Sequence, residues 1–241
     1  MSKKGMGRRD FLKSTAAGLG GLVYLGANGK SSPAEGQEKK EEKITYRTLG
    51  KTGMKLPVIT MGVMNTSNPA LVRAALSNGL YYLDTAQTYQ RGTNESMIGE
   101  VLKGRPRDSF AIATKARLAV NQTTGLYTEE ATEEAYALKI DTSLRSLGLD
   151  YIDIYHHHGV WVKETALYEP VLNALVKAKK AGKIRFIGIT THRNEPEVIN
   201  AAVDSKVYDV VLPAYNFRQK HAEEVKKAIA RAAEAGLGLS A

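Results

Sequence analysis

The chain has 241 residues, 43% of them hydrophobic and 24% charged, enough apolar material for one domain of ordinary size and too little charge imbalance for wholesale disorder. Of the formal net charge of +9, residues 1–34 hold six basic groups and one acid, so more than half of the excess lies in a short leader; the rest is spread along mixed-sign segments, which speaks against a nucleic-acid partner. Cysteine is absent, which excludes thiol nucleophiles, disulfides, thiolate zinc sites and iron–sulfur clusters.

In chain order, basic residues lead into Arg8-Arg9-Asp10-Phe11-Leu12-Lys13 and then a Gly- and Ala-rich stretch from Ser14 to Gly29, too short and too weakly apolar to span a membrane. This run resembles a twin-arginine export signal, with Ser32-Pro33-Ala34 offering small residues for cleavage. The resemblance implies the twin-arginine export machinery as a partner, a periplasmic or extracellular destination, and no stable membrane anchor. Residues 1–34 are the signal segment, residues 35–43 a charged linker that cannot bury a core, and residues 44–241 the folded domain.

From Ile44 the pattern is regular. A hairpin starts at Tyr46–Leu49 and turns at Gly50–Gly53; the apolar run Leu56–Met64 is expected to be the first barrel strand. Asn68-Pro69 opens a helix that Gly79 closes. Leu80–Asp84 reads as a strand, Asn94–Lys103 as a helix and Phe110–Ala116 as a strand. A long helix is expected from a Thr128 cap, with Ala137, Ile140, Leu144 and Leu147 on one face, ending at Gly148. Strands Tyr151–His158, Ile184–Thr191 and Val210–Asn216 then alternate with helices Glu169–Ala181, Glu195–Asp204 and His221–Ala235, and Leu237–Ala241 begins one more strand. Seven strands alternating with six long helices mean an α/β fold with a parallel sheet. The first strand is not followed by a glycine-rich dinucleotide fingerprint, which favours a (β/α)8 TIM-type barrel over a doubly wound sheet.

Chemistry in such barrels sits at the C-terminal ends of the strands. There the sequence places Asp84, Tyr89 five residues on, Thr114-Lys115, and His156-His157-His158. The segments Leu83-Asp84-Thr85-Ala86-x-x-Tyr89, Ala113-Thr114-Lys115 and Leu147-Gly148-x-Asp150-Tyr151-Ile152-Asp153-Ile154-Tyr155-x-x-His158 resemble the signatures of the aldo-keto reductases, as does the opening Tyr46-Arg47-x-Leu49-Gly50-x-Thr52-Gly53. The resemblance runs from Tyr46 to Ala241. It implies that Asp84, Tyr89, Lys115 and His158 form a catalytic tetrad, and that an aldehyde or ketone is reduced with NADP, preferred over NAD. It also implies cofactor contacts from Asp84, Thr190, Thr191 and Tyr215.

The chemistry stands beside the resemblance. Reducing a carbonyl by hydride creates an oxyanion that needs a proton, and Tyr89 is the natural acid. A phenol alone is a weak acid, ordinarily near a pKa of about 10. The Lys115 ammonium stabilises the phenolate while Asp84 holds the ammonium, and His158 orients the carbonyl oxygen. No side chain supplies hydride, so a nicotinamide cofactor must. Strand alternation puts His156 and His158 on one face and turns His157 away into packing. Trp161 is placed either to line the substrate mouth or to pack beneath it. Two other readings stay open: a metal-dependent hydrolase built on the His156-x-His158 spacing with Asp84, Lys115 and His192, and a cofactor-binding module without turnover.

The chain departs from the family pattern in three places. Thr190-Thr191 stands where a Ser-Asn pair usually meets the nicotinamide amide, and Leu212 where Gln is common; Tyr215-Asn216 keeps the pattern. The sequence ends at Ala241 inside the seventh strand, so the expectation is a truncated barrel without its eighth strand, short of part of the nucleotide clamp and open at two sheet edges.

Overall fold

The computed structural model describes residues 44–240; the expected export signal and linker, and Ala241, lie outside the described residues. The chain opens with a hairpin of β1 (Tyr46–Thr48) and β2 (Lys55–Pro57), joined by a 3-10 turn over Gly50–Thr52, with Tyr46 opposite Pro57 and Thr48 opposite Lys55. Gly50 has φ +49, and a side-chain carbon there would overlap the backbone of Gly238, so only glycine fits. The Lys51 N–H donates to Gly236 O at 2.8 Å, fastening the turn. Leu49, Met54 and Leu56 then reach into the sheet's concave interior, where they are buried with Tyr82, Ala111, Ala113, Ile154 and Val210.

The expected first barrel strand, Leu56–Met64, is two strands. Its first half belongs to the hairpin; the chain then bends through Val58 and Ile59, which are exposed, and only β3 (Met61–Gly62) joins the main sheet. A continuous apolar run carries no mark of such a division, because the hairpin partner at Tyr46–Thr48 takes the first half through long-range pairing.

The main sheet has seven parallel strands in sequential order: β3, β4 (Tyr82–Asp84), β5 (Ala111–Ala116), β6 (Ile152–His157), β7 (Ile184–Thr191), β8 (Val210–Pro213) and β9 (Gly238–Leu239). Helices α1 (Pro69–Ser77), α2 (Asn94–Leu102), α3 (Glu133–Leu147), α4 (Lys163–Ala166), α5 (Glu169–Lys180), α6 (Glu195–Ser205) and α7 (Ala222–Glu234) fill the connections. This is the strand–helix alternation of a (β/α) barrel, and among the described residues the sheet is open between β3 and β9.

Every residue of β5 and β6 is buried, because each strand has a packed face on both sides. Ala111, Ala113 and Lys115 face the interior, while Ile112 and Ala116 join the layer between sheet and helices with Ile140, Leu147, Val171 and Leu175. Fully burying each such aliphatic side chain contributes roughly 1.5–3 kcal/mol.

Helix starts follow capping chemistry. Asn68 accepts from Ala70 N–H at 2.9 Å with Pro69 in the first turn. On α3 the cap is Thr132, accepting from Ala135 N–H at 3.1 Å, and not Thr128 as expected. Both threonines precede acidic residues, and the loop is tied instead through the isolated bridge between Val120 and Tyr127, which delays the helix by one turn. At the opposite end of the sheet, Asp153 is 1% exposed and bonds Arg107 at 2.6 Å, Arg185 at 2.7 Å and the Ile112 N–H at 3.0 Å, clasping the starts of β5, β6 and β7.

Candidate active site

Three neighbouring strands deliver the tetrad residues to one rim. Asp84 is the last residue of β4, Lys115 the fifth of β5, and His158 directly follows β6. Tyr89 comes in on the loop after β4, in a 3-10 turn over Tyr89–Gly92. That turn holds Gln90 at φ 50 and Arg91 at φ 57, both left-handed without being glycine, a conformation that costs of order 1–3 kcal/mol per residue. Gln90 Nε2 donates to Met64 O at 2.7 Å and Thr93 Oγ1 to Gln90 O at 2.8 Å, and these bonds hold the strained turn in place.

The Lys115 side chain is 3% exposed, and its ammonium has three hydrogens. Its three acceptors are the Asp84 carboxylate, the Thr85 carbonyl at 2.7 Å and the Tyr89 hydroxyl oxygen at 3.2 Å. Tyr89 Oη is therefore an acceptor toward lysine, and its own hydrogen is free for a third party. The ammonium also lies 4.8 Å from the centre of the Tyr89 ring, and the His158 ring meets that ring edge-on at 6.2 Å.

Burial sets the charges around this group. It raises the Asp84 carboxyl above the ordinary carboxylate range, and the Lys115 charge and hydrogen bond pull it back down. His158 is pushed down to about 3, by burial first and then by the charges of Lys115, Arg117 and His192, so at neutral pH it is an uncharged imidazole. His156 is likewise lowered, by burial and then by Lys115 and His158; Gly188 leaves it room, since a side-chain carbon at Gly188 would overlap the imidazole ring.

His157 points the other way, as alternation predicts. Tyr208 Oη spends its hydrogen on Ala166 O at 2.7 Å, so it must accept from His157 Nδ1 at 2.9 Å; His157 Nε2 then accepts from the Tyr127 hydroxyl at 2.5 Å. That fixes the tautomer and ties the loop after β5 to α4 and to the loop before β8.

A model of the aldo/keto reductase family matches residues 59–239. The chain belongs to this family. L-galactose dehydrogenase of Arabidopsis thaliana is 34% identical over 163 residues, 61% of this chain and 49% of that protein. An aldo-keto reductase of Bacillus halodurans in its holo form is similar with a TM-score of 0.67 at 27% identity, over 82% of this chain and 65% of that one. An aldo-keto reductase of Klebsiella pneumoniae in complex with NADPH shares the fold, with a TM-score of 0.63 at 21% identity over 82% and 66% of the two chains. The chain spans about half the length of the curated relatives it matches.

Aldo/keto reductases work with a nicotinamide cofactor, and the residues present fit one. Asp84 Oδ2 and His158 Nδ1 are buried atoms without a partner among the described residues, so the rim keeps unspent polar capacity. Thr190 lies on the interior-facing register of β7 with Gly188; its Oγ1 accepts from Gly159 N–H at 2.8 Å and still has a hydrogen to give. Thr191 alternates to the opposite face, and its hydroxyl donates to Arg193 O at 2.7 Å, closing the turn after the strand. Tyr215 is half-buried just beyond β8. Trp161 is clamped between loops, with Arg193 over its ring at 4.5 Å and Asn194 Nδ2 donating to its carbonyl at 2.9 Å.

Among the described residues no group of three or more His, Asp or Glu gathers in metal-binding geometry. A cleft of about 590 Å³ lies at the other end of the sheet, where α2 and α3 finish; Lys103, Arg105 and Arg145 there complement helix C-termini, and none of the tetrad lines it. Two site members escaped the sequence reading. The Thr85 carbonyl is backbone and has no residue signature. Arg117 was readable, standing two residues beyond Lys115 on the same alternating face.

Proposed function

We propose that the protein reduces an aldehyde or ketone to an alcohol with a reduced nicotinamide dinucleotide, NADP in preference to NAD, and that Tyr89 is the general acid. The observation that carries this is the saturation of Lys115: its three hydrogens have three acceptors, one of them Tyr89 Oη, which leaves the phenolic hydrogen directed to a substrate oxygen. A reduced nicotinamide cofactor, when bound, would supply hydride to the carbonyl carbon. Tyr89 gives its proton to the oxygen, and the Lys115 ammonium stabilises the phenolate that remains. Asp84 pairs with that ammonium and holds it in place within a buried setting. Neutral His158 positions the carbonyl oxygen without competing as an acid. Asp84 Oδ2, Thr190 and Tyr215 are the groups that would hold the cofactor.

A fluorescence titration of the chain with NADPH tests the cofactor half of this reading. Saturable binding with a Kd in the micromolar range, following Trp161, the single tryptophan, is the expected result; no binding by folded protein would overturn it. The choice of NADPH follows the ligand of the Klebsiella neighbour. We further propose export by the twin-arginine route to the periplasm or beyond, supported by Arg8-Arg9-Asp10-Phe11-Leu12-Lys13. Changing Arg8 and Arg9 together to lysine should retain the protein inside the cell, and unchanged export would refute the route.

A further inference from the structure

Three segments border the His158 side of the rim: residues 117–132 after β5, residues 158–162 after β6 and residues 192–194 after β7. Arg117, His192 and Arg193 stand where these segments leave the strands, and the acids on them, Glu129 and Glu130, stand at the far end adjoining α3. Arg117 is exposed and its Nη1 lies 3.8 Å from where a side-chain carbon on Gly159 would stand, next to His158. Neither Arg117 nor Arg193 has a carboxylate within ion-pair distance among the described residues. The nearest acid in sequence to Arg193, Glu195, is 1% exposed and bonded to His221 at 2.8 Å, so it is already engaged.

The backbone is built to present these groups. Among the described residues four that are not glycine have positive φ; Lys206 ends a helix, and the other three are Gln90 and Arg91 after Tyr89, and Asn194 after Arg193. Strain of this kind persists only where the surroundings enforce it. Here Thr191 Oγ1 donates to Arg193 O, Asn194 Nδ2 donates to Trp161 O, and a side-chain carbon at Gly125 would come within 3.2 Å of the indole, while the Arg193 guanidinium lies over the Trp161 ring. A planar cation fixed by stacking keeps its in-plane N–H donors free for a carboxylate or phosphate.

We propose that the carbonyl substrate carries an anionic group, a carboxylate or a phosphate, which Arg117 and Arg193 hold beside Trp161 while Tyr89 and His158 meet its carbonyl oxygen. The proposal rests on the reductase reading of the rim, and its test measures binding without turnover, so the two can fail separately.

Isothermal titration calorimetry would compare pyruvate with pyruvamide, and glyceraldehyde 3-phosphate with glyceraldehyde, on the 241-residue protein with and without saturating NADP. One anionic member should bind about tenfold more tightly than its neutral counterpart, with a preference that weakens as salt rises. The pair that shows it separates carboxylate from phosphate. Arg117→Gln and Arg193→Gln should each remove the preference. Equal binding of charged and neutral compounds, no binding of either, or a preference that survives both substitutions would overturn the proposal. So would a preference that disappears when NADP is present, since the cations would then serve the cofactor, or inorganic phosphate binding as tightly as the phosphorylated aldehyde.

Discussion

Three consecutive histidines at the end of β6 have three different fates, set by which way each side chain leaves the strand. His156 faces the interior, His157 the helices and His158 the rim, and burial keeps all three uncharged: His156 is lowered, and His157 and His158 are held to about 3. In the unfolded chain the same rings take up protons as pH falls below about 6.5. The unfolded state therefore binds more protons than the folded state between that value and about 3, and stability is lost as pH falls through this window. Each histidine contributes at most about 1.4 kcal/mol per pH unit. Asp84 and Glu95, raised by burial, act in the opposite sense: their contribution is lost as pH rises, which offsets part of the acid slope. Urea midpoints measured from pH 7 to 4.5 should fall steadily. His157→Phe, which breaks the bonds to Tyr127 and Tyr208, should be less stable at pH 7 yet show a shallower fall. An unchanged slope would show that His157 does not carry its share of the linkage.

Elements are placed by side chains that tie several strands at once. Asp153 joins the starts of β5, β6 and β7 through two arginines and one backbone N–H. Asp153→Asn removes the carboxylate charge from both pairs; because Arg107 and Arg185 are partly exposed and regain water, the cost is about 2 kcal/mol, below the 3–5 of a fully buried pair. A thermal or urea midpoint that does not move would refute the role of this clasp. The same scale shows what the sequence discloses. Period and caps announced α1 through Asn68-Pro69, and the apolar run Ile184–Thr191 marked β7 to the residue. The division of Leu56–Met64 into two strands was hidden, because it depends on pairing with Tyr46–Thr48 and not on the run itself. The choice of Thr132 over Thr128 was hidden for a similar reason: both precede acidic residues, and the bridge of Val120 to Tyr127 decides between them. At the site, Asp84, Tyr89, Lys115 and His158 stood out as chemistry at strand ends, whereas the Thr85 carbonyl is visible only once Lys115 has been given its direction.

Over the whole molecule, the rim group needs little of the fold beyond its neighbours. Asp84, Lys115 and His158 come from β4, β5 and β6, which lie side by side in parallel register, with Lys115 opposite His156 across the β5–β6 pair. Their mutual geometry is therefore set locally, and the hairpin, pinned at Gly50 and Lys51, fills the interior beneath them. Among the described residues the sheet is open between β3 and β9, with β3 directly beside β4 and two strands between β6 and β9. A chain spanning about half the length of its curated relatives can thus hold the Tyr89 hydroxyl and the Lys115 ammonium in one place. The most direct measurement is carbonyl-dependent oxidation of NADPH by the 241-residue protein and its Tyr89→Phe variant, with NADPH binding measured on both. The expected result is turnover by the unsubstituted protein, a loss of roughly 10²–10⁴-fold in the variant and equal cofactor affinity in the two; equal rates in the two proteins would contradict Tyr89 as the acid.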